Sequence, residues 1–501
     1  MSVFSGHFPL GLGTSRFPVT GPKDIQGLNK SVDLVLAALD AGMDYVDVGH
    51  NYSAGMAPAI LKEAFRQTTN PFSVTVKVQY REDSTADRAR KRVEMHLKAM
   101  GLERATYFTS WCIWSYADFE QIMKKGGVYE GALKLKEEGI VDHICCSMHA
   151  SPEEMYKIVD SGAFEGVTIS YSLLNAPQMQ RVLDKALEKN IGVAVMNPLG
   201  GGLIAQNRDF FSFACAPNSE EDTIAAALRF VKAHPAVDMV LGGVSSIEEL
   251  KSSLSVFTSK DPEIPEMRMK RVMEKVSALS GFCTGCKYCE GCPKGIPTHA
   301  IMQAHNALLF KAAEAYNRTG PEDLLYDLQV FRKLDVDEGW LPETAENPCV
   351  NCGSCMRKCT QKLDIIGGVD EIFGRAKKNG YSKEAHIERL RELLQEKGYR
   401  KVGLYPNGGF SKKVIETYEE AFGKPEFEWF LFNSDSKVWG EVVEGRVVHS
   451  PEEIPTLLPD IIIVSTYRYD REIADGLQKY EKECGIKVEK LHKEGTVPWV
   501  F

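Results

Sequence analysis

A chain of 501 residues is too long for one hydrophobic core, and at roughly 150 residues per domain it holds about three. Its 44% hydrophobic and 26% charged residues suit a globular protein, and a formal charge of -9 without any basic run excludes a nucleic-acid footprint. Neither a basic-then-apolar leader nor a bilayer-length apolar run occurs, so a cytoplasmic protein without membrane contact is expected.

Up to about residue 275, short apolar runs alternate with amphipathic stretches, the signature of a parallel sheet covered by helices. The runs are 10–13, 45–48, 72–78, 106–113, 144–148, 167–171, 193–196 and 239–243. Helical patterns fall between them at 31–41, 85–100, 152–161, 178–189 and 220–233. Ser151-Pro152-Glu153-Glu154 reads as a helix start, with serine capping, proline at the first helical position and acids favouring the dipole. Eight such units predict a closed (β/α)8 TIM barrel over 1–275, whose active site lies at the carboxyl ends of the strands. An open doubly wound sheet would need more domains to use eight strands.

Polar residues at those strand ends are candidates for chemistry. The second strand runs into Asp47, His50 and Tyr52, and the third carries Lys77 among valines. A lysine inside a barrel strand is costly without a partner, and Asp47 can supply the countercharge. An ammonium beside a phenol is expected to lower its pKa from about 10, making Tyr52 a usable proton donor.

Asp47, Tyr52 five residues later and Lys77 on the next strand resemble the catalytic set of the aldo/keto reductases. The likeness continues through S-M-H-A-S-P-E-E, G-V-A-V-M-N-P-L-G-G-G and the stretch ending V-L-G-G-V-S-S-I-E-E-L, nearly the whole of 1–275. It implies NAD(P)H binding and hydride transfer to a small carbonyl or sugar-like substrate, with Tyr52 as the acid. The family ends its fourth strand with a histidine that orients the carbonyl, where this chain has Ser110 or Trp111. His149 after strand five, or His50, is the candidate to reach the same cavity.

By the same resemblance Ser147, Thr168 and Tyr171 would face the nicotinamide, while Asn197, Leu199 and Gly201 would line the diphosphate. Ser245 and Ser246 open a helix after strand eight, and amides at a helix start suit a phosphate. No arginine stands beside them in sequence to hold a 2′-phosphate, so NADPH is not favoured over NADH.

Two cysteine runs follow, Cys283, Cys286, Cys289 and Cys292, then Cys349, Cys352, Cys355 and Cys359. Two sets of four thiols, each with two-residue gaps between its first three cysteines, are what a pair of cubane [4Fe-4S] clusters requires. Two zinc ions are the rival occupants. The runs resemble a bacterial two-cluster ferredoxin, in which the fourth cysteine of each run serves the other cluster. That implies one cluster on Cys283, Cys286, Cys289 and Cys359, and another on Cys349, Cys352, Cys355 and Cys292. The gap before Cys292 is one residue short, and Thr360 stands where proline is usual. An aldo/keto reductase barrel followed by such a segment is itself a recognisable subgroup.

A ferredoxin-type domain is therefore expected over 276–375, with helices at 297–316, 321–334 and 365–378. A charged connector helix lies within 376–397. From 398 to 501 the strand, glycine-turn and helix pattern resembles a small Rossmann-like α/β domain, where Gly408 and Gly409 would approach phosphates and Asp435 a ribose. The whole reads as an iron-sulfur oxidoreductase exchanging single electrons with a carrier such as ferredoxin or flavodoxin. Hydride is a two-electron unit whereas each cluster carries one. A flavin could split the pair, the clusters could act on substrate, or they could be structural. The alternative is an electron-transfer or assembly protein whose barrel has lost reductase activity.

Overall fold

In the computed structural model the described residues are 2–258, 266–277, 281–309, 330, 331, 334, 339–359, 361–466 and 470–493. The expected helix at 321–334 lies almost wholly outside them. The chain forms two compact units, residues 1–286 with 360–362, and residues 287–359 with 363–501.

The first unit is a closed parallel barrel of eight strands in sequence order. They are β1 (Leu10–Gly13), β2 (Tyr45–Asp47), β3 (Ser73–Val78), β4 (Ala105–Ile113), β5 (Val141–Met148), β6 (Gly166–Ser170), β7 (Gly192–Met196) and β8 (Met239–Gly243). Closure comes from β1 pairing with β8, Leu10 opposite Val240 and Gly13 opposite Gly243. The helices start where capping chemistry dictates. Thr85 accepts the amide of Arg88 before Ala86–Met100, and Ser151 forms a reciprocal capping box with Glu154 before Pro152–Asp160. Among the barrel helices outside the expected stretches are Ala57–Gln67 and Val128–Glu137. Both carry lysine or glutamate on their open faces, which blurs a short apolar stripe.

The amino-terminal end of the barrel is closed by a plug. Phe4 packs edge-on against Tyr45 and tilted against Tyr107, at 5.6 and 5.2 Å between ring centroids. His7 sits between the Asp44 carboxylate and the Tyr107 hydroxyl, at 2.7 Å from each. Room for the Phe4 ring exists because Gly166 and Gly192 lack side chains: a Cβ on either would come within 2.7 Å of it.

In the second unit, helices Thr298–Leu309, Ile365–Asn379 and Lys383–Leu394 precede a six-stranded sheet. Its strands are β9 (Lys401–Tyr405), β10 (Glu428–Phe432), β11 (Val442–Val443), β12 (Arg446–His449), β13 (Ile461–Val464) and β14 (Lys487–Lys490), in spatial order β11-β12-β10-β9-β13-β14. All neighbours are parallel except the β11–β12 hairpin. Alternation at period two feeds two cores. Val402, Leu404, Leu431, Ile461 and Ile463 face one side with Val414 and Tyr418, while Tyr405, Phe430, Phe432, Ile462 and Val464 face the other with Leu477 and Tyr480. Among the described residues no helix is long and apolar enough to cross a membrane.

Removing the plug tests this packing. Phe4→Ala is expected to lower stability by about 3–5 kcal/mol, as for other buried phenylalanines, read from the urea midpoint of the chain; a change under about 0.5 kcal/mol would mark Phe4 as a surface residue.

Candidate functional site

At the carboxyl end of the barrel, β2 and β3 bring a cation and an anion together in the interior. The Lys77 ammonium donates to Asp47 Oδ2 at 2.7 Å and to the Tyr52 hydroxyl at 3.0 Å. Lys77 is 3% exposed and Asp47 7%. Burial works to discharge the lysine, but Asp47 and Tyr52 outweigh it and hold the ammonium above its ordinary value.

The loop after β2 turns Tyr52 back over this pair. Its polypeptide takes three consecutive left-handed residues, Ser53, Ala54 and Gly55. Ser53 anchors it by donating to the Thr14 carbonyl at 2.7 Å and accepting the Phe17 amide at 3.1 Å. Gly49 is needed beneath the phenol, because a Cβ there would lie 2.9 Å from the Tyr52 ring. The expected lowering of the Tyr52 pKa is corrected: burial raises it, with Lys77 pulling only partly the other way. The group is a protonated phenol at neutral pH.

Trp111, rather than Ser110, meets this group. Its ring lies edge-on to Tyr52 at 5.8 Å, with the Lys77 ammonium 5.9 Å from its centroid. A register shift between Ser110 and Ile113 and a left-handed Cys112 place it there. Ser110 is fully buried, and its hydroxyl has no partner among the described residues. His50 packs edge-on to the Trp111 ring at 5.6 Å and against His96 at 5.5 Å. His149 is buried, stacks on Trp114 at 4.9 Å and feels the Lys77 charge; burial first and that charge second bring its pKa down to about 4. It is therefore a neutral ring, able to orient a ligand but not to act as a standing acid.

The expected cofactor residues separate into two groups. Thr168 is buried opposite Ser147 and Ala194 in the register, and Ser147 Oγ accepts the Cys112 amide at 3.1 Å. Asn197 and Gly200, Gly201 and Gly202 are all left-handed, forming a tight turn after β7. Leu199 leads into that turn. Tyr171, by contrast, is buried against Phe230 at 6.1 Å and His234 at 5.9 Å, packing instead of facing a ligand. The Ser245 amide and hydroxyl both engage Glu249, at 2.7 and 2.9 Å, and Ser246 Oγ accepts the Glu249 amide. A carboxylate thus stands where a phosphate was expected. An arginine is present after all: Arg16, after β1, lays its stem on Gly243 and brings its guanidinium within 3.5 Å of the Gly201 carbonyl. Only the barrel's closure, which makes β1 the neighbour of β8, could have revealed it.

The second unit contains a small cleft lined by Cys292, Cys349, Cys352 and Cys355, with Cys289, Ile296, Ile366 and Val369. Left-handed residues at Gly291, Asn351 and Gly353 curl the chain between these thiols. Among the described residues no three His, Cys, Asp or Glu side chains are gathered tightly enough for a single metal ion. Cys283 and Cys286 belong to the first unit, Cys289 and Cys359 to the second. Amides of Gly285 and Leu363 point at the Cys283 and Cys359 sulfurs, at 3.5 and 3.4 Å. In the six-stranded sheet, Gly408 and Gly409 open the helix after β9 with free space around them, whereas Asp435 caps the Lys437 amide at 3.0 Å.

The sequence model of the aldo/keto reductase family matches residues 9–276. No curated protein matches the chain. Similar solved structures include an aldo/keto reductase from Klebsiella pneumoniae in complex with NADP and acetate, at 18% identity, covering 54% of this chain and 91% of that one, TM-score 0.44. Another is an aldo-keto reductase from Bacillus halodurans in its holo form, at 16% identity, covering 53% and 91%, TM-score 0.44. A thermostable aldo-keto reductase in complex with the inhibitor epalrestat gives 16% identity, 53% and 94% coverage, and 0.45.

Two predictions follow from the electrostatics. His96 is buried and held down to about 4, chiefly by burial and then by His50 and Arg92. Below its unfolded value of about 6.5 the unfolded chain takes up a proton that the folded chain refuses, so stability falls as pH drops towards 4. His96→Leu is expected to lose roughly 2 kcal/mol less than the parent between pH 7 and pH 5, measured by urea unfolding at both. Removing the carboxylate in Glu249→Ala is expected to tighten NADPH more than NADH by about threefold or more, read by fluorescence titration, if phosphate competes for the Ser245 amide.

Proposed function

The chain belongs to the aldo/keto reductase family, and we propose that its barrel transfers hydride between a nicotinamide dinucleotide and a small carbonyl or sugar-like compound. The observation that carries this reading is the single ammonium bonded at once to Asp47 and Tyr52. Bound nicotinamide supplies or accepts the hydride. Everything else falls to the chain's own residues.

Tyr52 is a neutral phenol at neutral pH and can hand its proton to a carbonyl oxygen becoming an alkoxide. The phenolate left behind is stabilised by Lys77, and Asp47 keeps that lysine charged in a buried place. Trp111 excludes water from one side of the phenol. Orientation of the carbonyl falls to neutral His149 in place of the histidine that the family carries on its fourth strand. Asn197 and the Gly200–Gly202 turn would line a diphosphate, with Arg16 against the turn supplying a positive charge. Ser147 and Thr168, neighbours in the β5–β6 register, would meet the nicotinamide.

A finer reading concerns the thiols. Cys289, Cys292, Cys349, Cys352 and Cys355 line one cleft. That gathering, with the spacing of the two runs, supports a polynuclear [4Fe-4S] group on Cys292, Cys349, Cys352 and Cys355, with the second cluster on Cys283, Cys286, Cys289 and Cys359. Such groups move one electron at a time, so a ferredoxin or flavodoxin is the matching class of partner, and a flavin is the matching class of electron splitter.

Tyr52→Phe is expected to lower kcat/KM for carbonyl reduction by about 10²–10⁴-fold, followed by dinucleotide oxidation with a panel of small aldehydes and sugars; undiminished turnover would reject Tyr52 as the acid. Anaerobically prepared protein is expected to hold about eight irons with matching sulfide, and Cys292→Ser about four. Stoichiometric zinc without sulfide would replace the cluster reading.

A further inference from the structure

The first cysteine run does more than present thiols. Residues 281–286 belong to the barrel unit, and they lie along the segment that follows β7. Phe282 is buried with its ring 6.0 Å from Phe210 and 6.4 Å from Phe211. Phe211 in turn meets Phe213 at 6.1 Å, so Phe282 is one ring of a four-ring cluster. Two residues on, the Thr284 carbonyl rests against Gly201 so closely that a Cβ there would be 2.2 Å from the oxygen. Gly201 is thus confined between Thr284 on one side and the Arg16 guanidinium at its own carbonyl on the other.

From this we infer that Phe282 is a positioning residue for the dinucleotide: it latches the Gly200–Gly202 turn in the closed form that holds the diphosphate. The inference rests on the dinucleotide reading above. Left-handed Asn197, Gly200, Gly201 and Gly202 leave the turn only one short 3-10 turn of its own, so its shape depends on what packs on it. A ligand of this length enters a barrel mouth only if a covering turn moves aside. Here the turn cannot move without displacing the Thr284 carbonyl, and Thr284 cannot move without pulling Phe282 out of its aromatic cluster. Cys283 sits between those two residues, buried, with the Gly285 amide on its sulfur. Occupancy of the dinucleotide site and the order of the Cys283 backbone are therefore linked, and linkage runs equally in both directions.

The test uses full-length, anaerobically purified protein with NADPH and NADH as probes. Stopped-flow tryptophan fluorescence is expected to show both association and dissociation at least about fivefold faster in Phe282→Ala than in the parent, with Phe282→Leu close to the parent. Hydrogen exchange of the 281–286 peptide is expected to slow at least about fivefold when the dinucleotide is bound, a response that a merely structural phenylalanine would not give. Should Phe282→Ala fold poorly, Gly201→Ala serves instead, since its methyl group pushes directly on Thr284 and is expected to abolish the ligand-induced protection of 281–286. Binding by the parent with unchanged exchange in 281–286 and unchanged rates in Phe282→Ala overturns the latch alone. No dinucleotide binding by the parent overturns the dinucleotide reading and the latch together.

Discussion

A buried ammonium is the constraint from which the barrel's chemistry follows. Lys77 lies on an interior strand where an unpaired charge would cost several kcal/mol. Only a carboxylate and a hydroxyl on the same nitrogen make the position tolerable. That requirement fixes Asp47 at the end of β2, and it fixes the loop that folds Tyr52 back, down to the side-chain-free Gly49 beneath the ring. The same charge then sets the local acid-base pattern: it offsets part of the rise that burial imposes on the phenol, and it helps keep His149 neutral. One ion pair therefore supplies stability, geometry and proton chemistry at a single place.

Around it the barrel divides by height. At the amino-terminal end Phe4, Tyr45 and Tyr107 fill the interior, a packed layer that leaves no passage. At the opposite end the interior turns polar, through Asp47, Lys77, Ser147 and Thr168. Asp47 and Lys77 lie on strands, whose positions are set by the register of the barrel pairings, while Tyr52 hangs from the loop after β2 and is held by its bond to the Lys77 ammonium.

Much of this was legible in the chain. Short apolar runs alternating with amphipathic stretches marked all eight barrel strands, and the cap at Ser151 marked a helix start, because both signals are local. Asp47, Tyr52 and Lys77 were readable because a charge inside an apolar strand demands a partner. What escaped was non-local. A register shift in β4 decided that Trp111, not Ser110, meets the phenol. Closure of β1 on β8 brought Arg16 to Gly243 and Gly201, where sequence distance had hidden it. Ser245 looked free for a phosphate, yet Glu249, four residues later, reaches back to its amide. Tyr171 ends a strand and resembles a ligand contact, but its ring is taken by Phe230 from the helix Thr223–Lys232. In the second unit the strand, glycine-turn and helix pattern was readable, and the ferredoxin resemblance had already grouped Cys292 with Cys349, Cys352 and Cys355, which line one cleft.

The remaining question is how two-electron and one-electron chemistry share one polypeptide. Hydride leaves nicotinamide as a pair, so any cluster fed from it must be filled twice, and an intermediate acceptor or a waiting partner has to hold the odd electron. Under that demand timing matters as much as distance, because the acceptor of the pair must hold the second electron until a cluster is free to take it. Residues 281–286 bear on timing directly. The same six residues carry two thiols and the contacts that confine the turn after β7. Under the proposed latch, the order of the backbone around Cys283 and the opening of the turn after β7 would be linked through Phe282 and Thr284.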